Sequence, residues 1–299
     1  MSASIAVVGA LLLVSLFLNL VPGDPIDAML GEQASEVDRE ALRRAVGLDL
    51  PWYAQLWTFT RDFATGELRT SLPPFQKKVL PAIGEALPNT LLLTVASLFI
   101  AVALAIPLGV LAAARRGTAV DSVAMGVAVA GVALPRFWLG PMLIIVFALW
   151  LDWLPVSGAE SWRHLVLPAF TLGTALAAFL SRMTRASMLE TLREDYVTAA
   201  RAKGLHPRVV LWKHAFRNAQ LPILTVLGLE FGSLLGGAIV TEKVFAWPGM
   251  GTLLLTSIER RDYNTVRATV LVFTLCYVLV NALTDVAYAL VDPRVRRRG

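Results

Sequence analysis

The chain has 299 residues, of which 56% are hydrophobic and only 16% charged, and its mean hydropathy is +0.64. That composition excludes an ordinary soluble domain and makes the chain an integral membrane protein. The net charge of +5 does not imply nucleic acid, because the basic residues sit beside apolar spans and form no aromatic-interleaved patch. The single cysteine, Cys276, excludes an internal disulfide and a thiolate metal cluster.

Six stretches approach the roughly 20 apolar residues that a helix needs to cross a bilayer: residues 4–21, 90–114, 120–151, 165–182, 222–244 and 268–290. The first lacks a basic start and runs into Val21-Pro-Gly-Asp-Pro25 where a cleaved leader would have small residues, so it reads as a retained helix. The segment 24–88 is mixed in charge and rich in turn residues, with Trp52, Trp57 and Phe63 available for a small packed layer. The third stretch is interrupted by Pro135 and Gly140, and is either one bent helix or two short spans.

Charge asymmetry chooses between them. A single bent helix puts Arg115, Arg116, the loop from Arg182 to Arg217 and the tail Arg294, Arg296, Arg297 and Arg298 on one side, the cytoplasm by the positive-inside rule. Splitting it would place Arg115 and Arg116 opposite that loop. The expected fold is therefore an all-α polytopic membrane domain over residues 1–299, with six transmembrane helices and both termini cytoplasmic. Residues 24–88 are then extracytoplasmic and 183–221 form a cytoplasmic loop.

In that loop, Arg182 and Arg185 lie one turn apart at headgroup level, placed to snorkel. Helix formers persist to Lys203, Gly204 tolerates the positive φ of a helix stop, and Pro207 suits the first turn of a second helix, about 207–219. That second helix is expected to lie near the membrane surface before Pro222 opens the fifth span. Small residues at Ala199, Ala200 and Gly204 let another surface approach the backbone closely, which makes the loop a docking element.

The run Asp195-Tyr-Val-x-Ala-Ala-Arg-Ala-Lys-Gly-Leu205, with Asn218-Ala-x-Leu-Pro222 downstream, resembles the cytoplasmic "EAA" loop of ABC-importer permeases. It is most similar to the dipeptide, oligopeptide and nickel branch. Further pieces follow in the same order: Val21-Pro-Gly-Asp-Pro25, Leu134-Pro-x-Phe-Trp-x-Gly140, Leu167-Pro168, Phe245-x-Trp-Pro-Gly249, Arg261-Asp-Tyr263 and Tyr288-Ala-Leu-Val-Asp-Pro-Arg294. Each is weak alone; their ordered sum covers nearly the whole chain.

The resemblance implies a type I importer-like permease of a bacterial or archaeal cell membrane, working by alternating access. It implies a second homologous permease subunit, two ATPase subunits that bind ATP and Mg, and an extracytoplasmic substrate-binding protein, with di- or oligopeptides as cargo. Asp195, Tyr196, Ala199, Ala200, Arg201, Lys203, Gly204 and Leu205 then form the coupling helix gripped by an ATPase. Two features depart from the family: Thr198 stands where the motif has its glutamate, and the chain begins almost at its first span, where relatives open with a basic cluster. No Gly-x-x-x-x-Gly-Lys-Ser/Thr run is present, so the chain is expected to be no ATPase and to hold no cofactor or metal of its own.

Polar groups inside the spans complete the candidates. Gly228, Gly232 and Gly236 recur every four residues and clear a helix face for packing. Glu230, with Ser233, marks another face, and either lines the translocation path or is protonated and hydrogen-bonded between helices. Asn281, Asp285 and Tyr288 share one face of the sixth span and serve interhelical bonding or the pathway. His164, His206 and His214 lack metal-ligand spacing and read as surface histidines. A secondary transporter would show inverted repeats and broken helices, and a membrane hydrolase a nucleophile with its base; the sequence offers neither.

Overall fold

The computed structural model describes residues 2–20, 26, 35–46, 49–71 and 77–291. Its helices are α1 (Ser2–Leu20), α2 (Glu36–Val46), α3 (Trp52–Thr65), α4 (Val79–Ala114), α5 (Ala119–Ala133), α6 (Arg136–Leu143), α7 (Trp162–Thr191), α8 (Asp195–Ala202), α9 (Pro207–Val244), α10 (Met250–Glu259) and α11 (Tyr263–Val291). Two stretches are π-wound: Ile144–Trp150, which prolongs α6, and Val210–Phe216 within α9. Among the described residues no strand occurs beyond one isolated bridge between Arg69 and Lys78.

By length and apolarity α4, α7, α9 and α11 are each able to cross a bilayer, and α5 with the α6 segment makes a fifth if that broken pair is one span. The apolar part of α1, Ile5–Leu16, is shorter. The break between α5 and α6 falls at Leu134-Pro135, with the axes bent by 108°. Leu134 is extended (φ −80°, ψ 117°), as the ring of a following proline demands.

Two boundaries differ from the sequence reading. Helix α4 begins at Val79 rather than near residue 90. Pro81 sits in its first turn, where a missing N–H costs nothing. Beyond Pro88, the Asn89 Nδ2 donates to the carbonyls of Glu85 (3.3 Å) and Pro248 (2.8 Å). The expected separate helix at 207–219 is instead the start of α9, which continues through Pro222 without a break.

The chain divides into two compact units. The first comprises residues 1–90 and 248–278. Its core joins Phe59, Leu68, Val79, Ile83, Met250, Ala268 and Leu271. Phe59 and Phe63, one turn apart on α3, stack at 6.0 Å and take the inward face. Trp52 and Trp57, expected in that layer, are 58% and 72% exposed: Trp57 lies about 200° from Phe59 around α3 and so turns outward, whereas Trp52 shares the Phe59 face but stands at the first residue of the helix, two turns away. Asp262 ties the unit together: its Oδ1 accepts from the Ser71 N–H at 2.8 Å and its Oδ2 from the Thr265 hydroxyl. Lys78 donates to Glu67 at 2.8 Å, and that bond with the lysine charge holds the Glu67 carboxyl below the usual carboxylate range.

The second unit comprises residues 91–247 and 279–299, built around α7, which packs on α5, α6 and α9. Leu93, Ala101, Leu172, Leu176, Leu180, Ile223, Leu234 and Trp247 form its main core. Helices α4 and α7 meet at two glycines. A Cβ on Gly109 would lie 2.6 Å from the Ser181 carbonyl oxygen and from the Thr184 Cβ, and one on Gly173 would lie 2.6 Å from the Ser97 carbonyl oxygen.

Candidate functional site

The segment singled out by the sequence forms a short helix with one face anchored and the other free. Val197 and Ala200, three residues apart on α8, are buried with Val110 and Ala113 of α4, Met188 of α7 and Val210, Ala215 and Ala219 of α9. Asp195, Thr198, Ala199 and Arg201 face outward. Ala200 was expected at the surface beside Ala199, but it is only 6% exposed and belongs to the anchoring face. The helical period separates two adjacent alanines by about 100°.

Both ends of α8 are held. Gly204 takes φ +73°, the Gly204 N–H donates to the Arg201 carbonyl (2.9 Å) and the Leu205 N–H to that of Ala200 (3.4 Å), the paired bonds of a glycine-terminated helix. Lys203, Gly204 and Leu205 are all exposed at this turn. Asn218 on α9 donates through Nδ2 to the Tyr196 hydroxyl at 2.8 Å, and Ser187 on α7 donates to the Ala219 carbonyl at 2.9 Å. His206, read as a surface histidine, accepts the Arg208 N–H at 3.3 Å and so caps the start of α9. The result is a small rigid block made of α8, the end of α7 and the start of α9.

Arg185 does not snorkel as expected. It forms a two-point ion pair with Asp121 in the first turn of α5, and Asp121 also accepts the Gly117 N–H at 3.0 Å. His164, also read as a surface histidine, makes local bonds: its Nδ1 faces the Ser161 N–H and hydroxyl, and its Nε2 lies 2.8 Å from Glu160.

Arg182, read as the other snorkelling residue, lines a cavity of about 410 Å³ together with Glu230, Val132, Leu134, Ala175 and Phe179. Among the other span candidates, Ser233 is exposed and Asn281 half-buried. The side chains of Asp285 and Tyr288 lie outside the described residues. The glycine stripe is not one packing face: Gly228 lies tight against Thr284 of α11, whereas a Cβ on Gly236 would meet nothing within 4 Å. Further close helix contacts fall at Gly109 and Gly173, which no periodic pattern marks. Among the described residues no group of three His, Cys, Asp or Glu is placed to hold a metal.

A family model described as the binding-protein-dependent transport system inner membrane component matches residues 105–297. The chain is 44% identical over 284 residues to the glutathione transport system permease protein GsiC of Escherichia coli O6:H1, covering 95% of this chain and 92% of that one. The GsiC protein of Escherichia coli strain K12 is 43% identical over the same length. In fold the chain is similar to the MetNI methionine ABC transporter in an inward-facing conformation, with a TM-score of 0.61 at 18% identity over 73% of this chain and 100% of that one. An amino acid ABC transporter solved with histidines gives a TM-score of 0.56 at 16% identity, over 70% of this chain and 94% of that one. The apolar helices, the extended match and the shared importer fold agree, and the chain belongs to the inner membrane permease components of binding-protein-dependent ABC importers.

Proposed function

We propose that this permease forms half of the translocation path of an ATP-driven importer of di- or oligopeptide-like solutes, and that α8 takes up the motion of a separate ATPase subunit. The carrying observation is the division of α8 into a buried face, Val197 and Ala200, and an outward face centred on Ala199. A coupling element has to be stiff toward its own bundle and smooth toward its partner, and small side chains let a partner groove close on the backbone. Arg201 and Lys203 form the rim. The full complex has two permease subunits, two ATPase subunits that bind ATP and Mg, and an external binding protein. Closure of the ATPases on ATP moves α8 and opens the path outward; hydrolysis resets it.

Peptide cargo is supported by the relatives, which are named as glutathione permeases; glutathione is a tripeptide. In this reading α8 and both termini are cytoplasmic, residues 24–88 lie outside beside the binding protein, and Glu230 borders the path. Purification of the tagged chain from its own host tests the assembly: two ATPases and a second permease should come with it, and peptide uptake by the reconstituted complex should require ATP and the binding protein. A chain that purifies alone and transports without ATP overturns the proposal.

A further inference from the structure

We infer that the cavity beside the α5–α6 break is a binding site for a zwitterionic solute, with Glu230 receiving its ammonium group and Arg182 its carboxylate. The inference rests on the reading of this chain as a peptide permease and adds the chemistry of the subsite. Glu230 on α9 and Arg182 on α7 line the same cavity of about 410 Å³, within the range of small-molecule sites.

Among the described residues neither charge has an ion pair or hydrogen bond of its own. The two are held apart around one space, where direct contact would have neutralised both. Glu230 is half-buried and Arg182 exposed at this open cavity; a carboxylate on a spanning helix tends to face a cavity or a partner, and a ligand with both charges engages the two at once. Val132, Leu134 and Phe179 supply apolar wall between them, suited to the side chain of a short peptide. Transport needs a site that releases its occupant, so millimolar affinity is expected.

The test uses the assembled transporter, with Cys276→Ala and a reporter thiol introduced by Val132→Cys, which lines the cavity and is 48% exposed in the wild type. Maleimide labelling is timed with glycylleucine, its N-acetyl form or its C-terminal amide. The free dipeptide should slow labelling several-fold at millimolar concentration, and each blocked form should protect at least tenfold more weakly. Glu230→Gln should make the free and N-acetyl forms equivalent, and Arg182→Gln the free and amide forms. The exchange Arg182→Glu with Glu230→Arg should restore the preference for the zwitterion.

Equal protection by all three compounds, or by none, overturns the inference, and that wild-type comparison decides the matter even if the variants fail to assemble. Because phosphatidylethanolamine headgroups carry the same two charges, the comparison is run in nanodiscs with and without that lipid. Protection by the lipid alone overturns the solute assignment. Failure of the peptide-permease reading is separate: the site would then discriminate as described while the wild-type complex imported no peptide.

Discussion

Arg185 reaches from α7 to the first turn of α5 and holds Asp121 at two points, Nε to Oδ1 at 2.6 Å and Nη2 to Oδ2 at 2.7 Å. The same carboxylate accepts the Gly117 N–H, so the pair fixes both the packing of α5 on α7 and the turn that enters α5. The planar arginine fork makes this geometry, and a lysine cannot reproduce it. Arg185→Lys should therefore lower the thermal stability of the purified complex although the charge is kept, and Asp121→Asn should lower it further. Reversing the pair, with Asp121→Arg and Arg185→Asp, should recover only part of the loss, because the Gly117 N–H then faces a cation. Differential scanning fluorimetry reads all three variants; unchanged unfolding in Arg185→Lys would show that the two-point bond does not matter.

The α4–α7 contact gives a sharper stability contrast. At Gly109 and Gly173 an added Cβ meets backbone and side-chain atoms at 2.6 Å, so Gly→Ala requires the helices to separate. Overpacking of this kind costs about 1–3 kcal/mol. Gly236→Ala meets open space and should change the stability of the isolated chain by less than about 0.5 kcal/mol. Denaturant titration of the three variants checks the order, and a Gly236→Ala loss equal to the others would reverse the assignment of the packing faces.

On α8 two neighbouring alanines should behave oppositely. Ala199→Trp places bulk on the outward face, so the permease should fold and assemble while ATP hydrolysis loses its coupling to uptake. Ala200→Trp forces bulk into the cluster with Met188 and Ala219 and should destabilise by about 1–3 kcal/mol or more. Gly204→Ala leaves space free but holds a side chain at φ +73°, a strain of roughly 1–2 kcal/mol. The checks are the ratio of ATP hydrolysed to peptide imported, and the melting temperature. Full coupling in the Ala199→Trp variant would remove α8 from the proposed transmission path.

These contrasts also show what could be read from the sequence. Pro135 marked the α5–α6 break and Gly204 the end of α8, because each restricts or frees the backbone locally whatever surrounds it. The apolar runs located most of the long helices for the same local reason. The start of α4 was not legible from apolarity: Pro81 sits in an N-terminal turn and Pro88 in a helix that tolerates it, so α4 starts earlier than its apolar run. Partners were not legible. Asp121 and Arg185 are 64 positions apart, and nothing in either local sequence names the other. A glycine stripe on α9 announced a smooth face without saying which part a neighbour covers, and Gly228 meets α11 while Gly236 faces open space; two further glycines that bring helices together stand alone in α4 and α7. Arg182 looked like Arg185 in sequence; only their different directions on α7 give one an ion pair and the other a cavity.

The side of the membrane on which residues 24–88 lie can be decided with one native thiol removed. In a Cys276→Ala background, Trp57→Cys replaces a side chain that is 72% exposed on α3, whereas Leu68→Cys replaces one that is 2% exposed. Both belong to the same segment, so topology alone would treat them alike. An impermeant maleimide added outside intact cells should label the Trp57→Cys protein quickly and the Leu68→Cys protein at least tenfold more slowly, until denaturant opens the Phe59 and Met250 cluster that covers position 68. Arg201→Cys, on the outward face of α8, should react only after the membrane is breached. Labelling of Trp57→Cys from the cytoplasmic side alone would invert the proposed orientation, and with it the side on which an ATPase could reach α8.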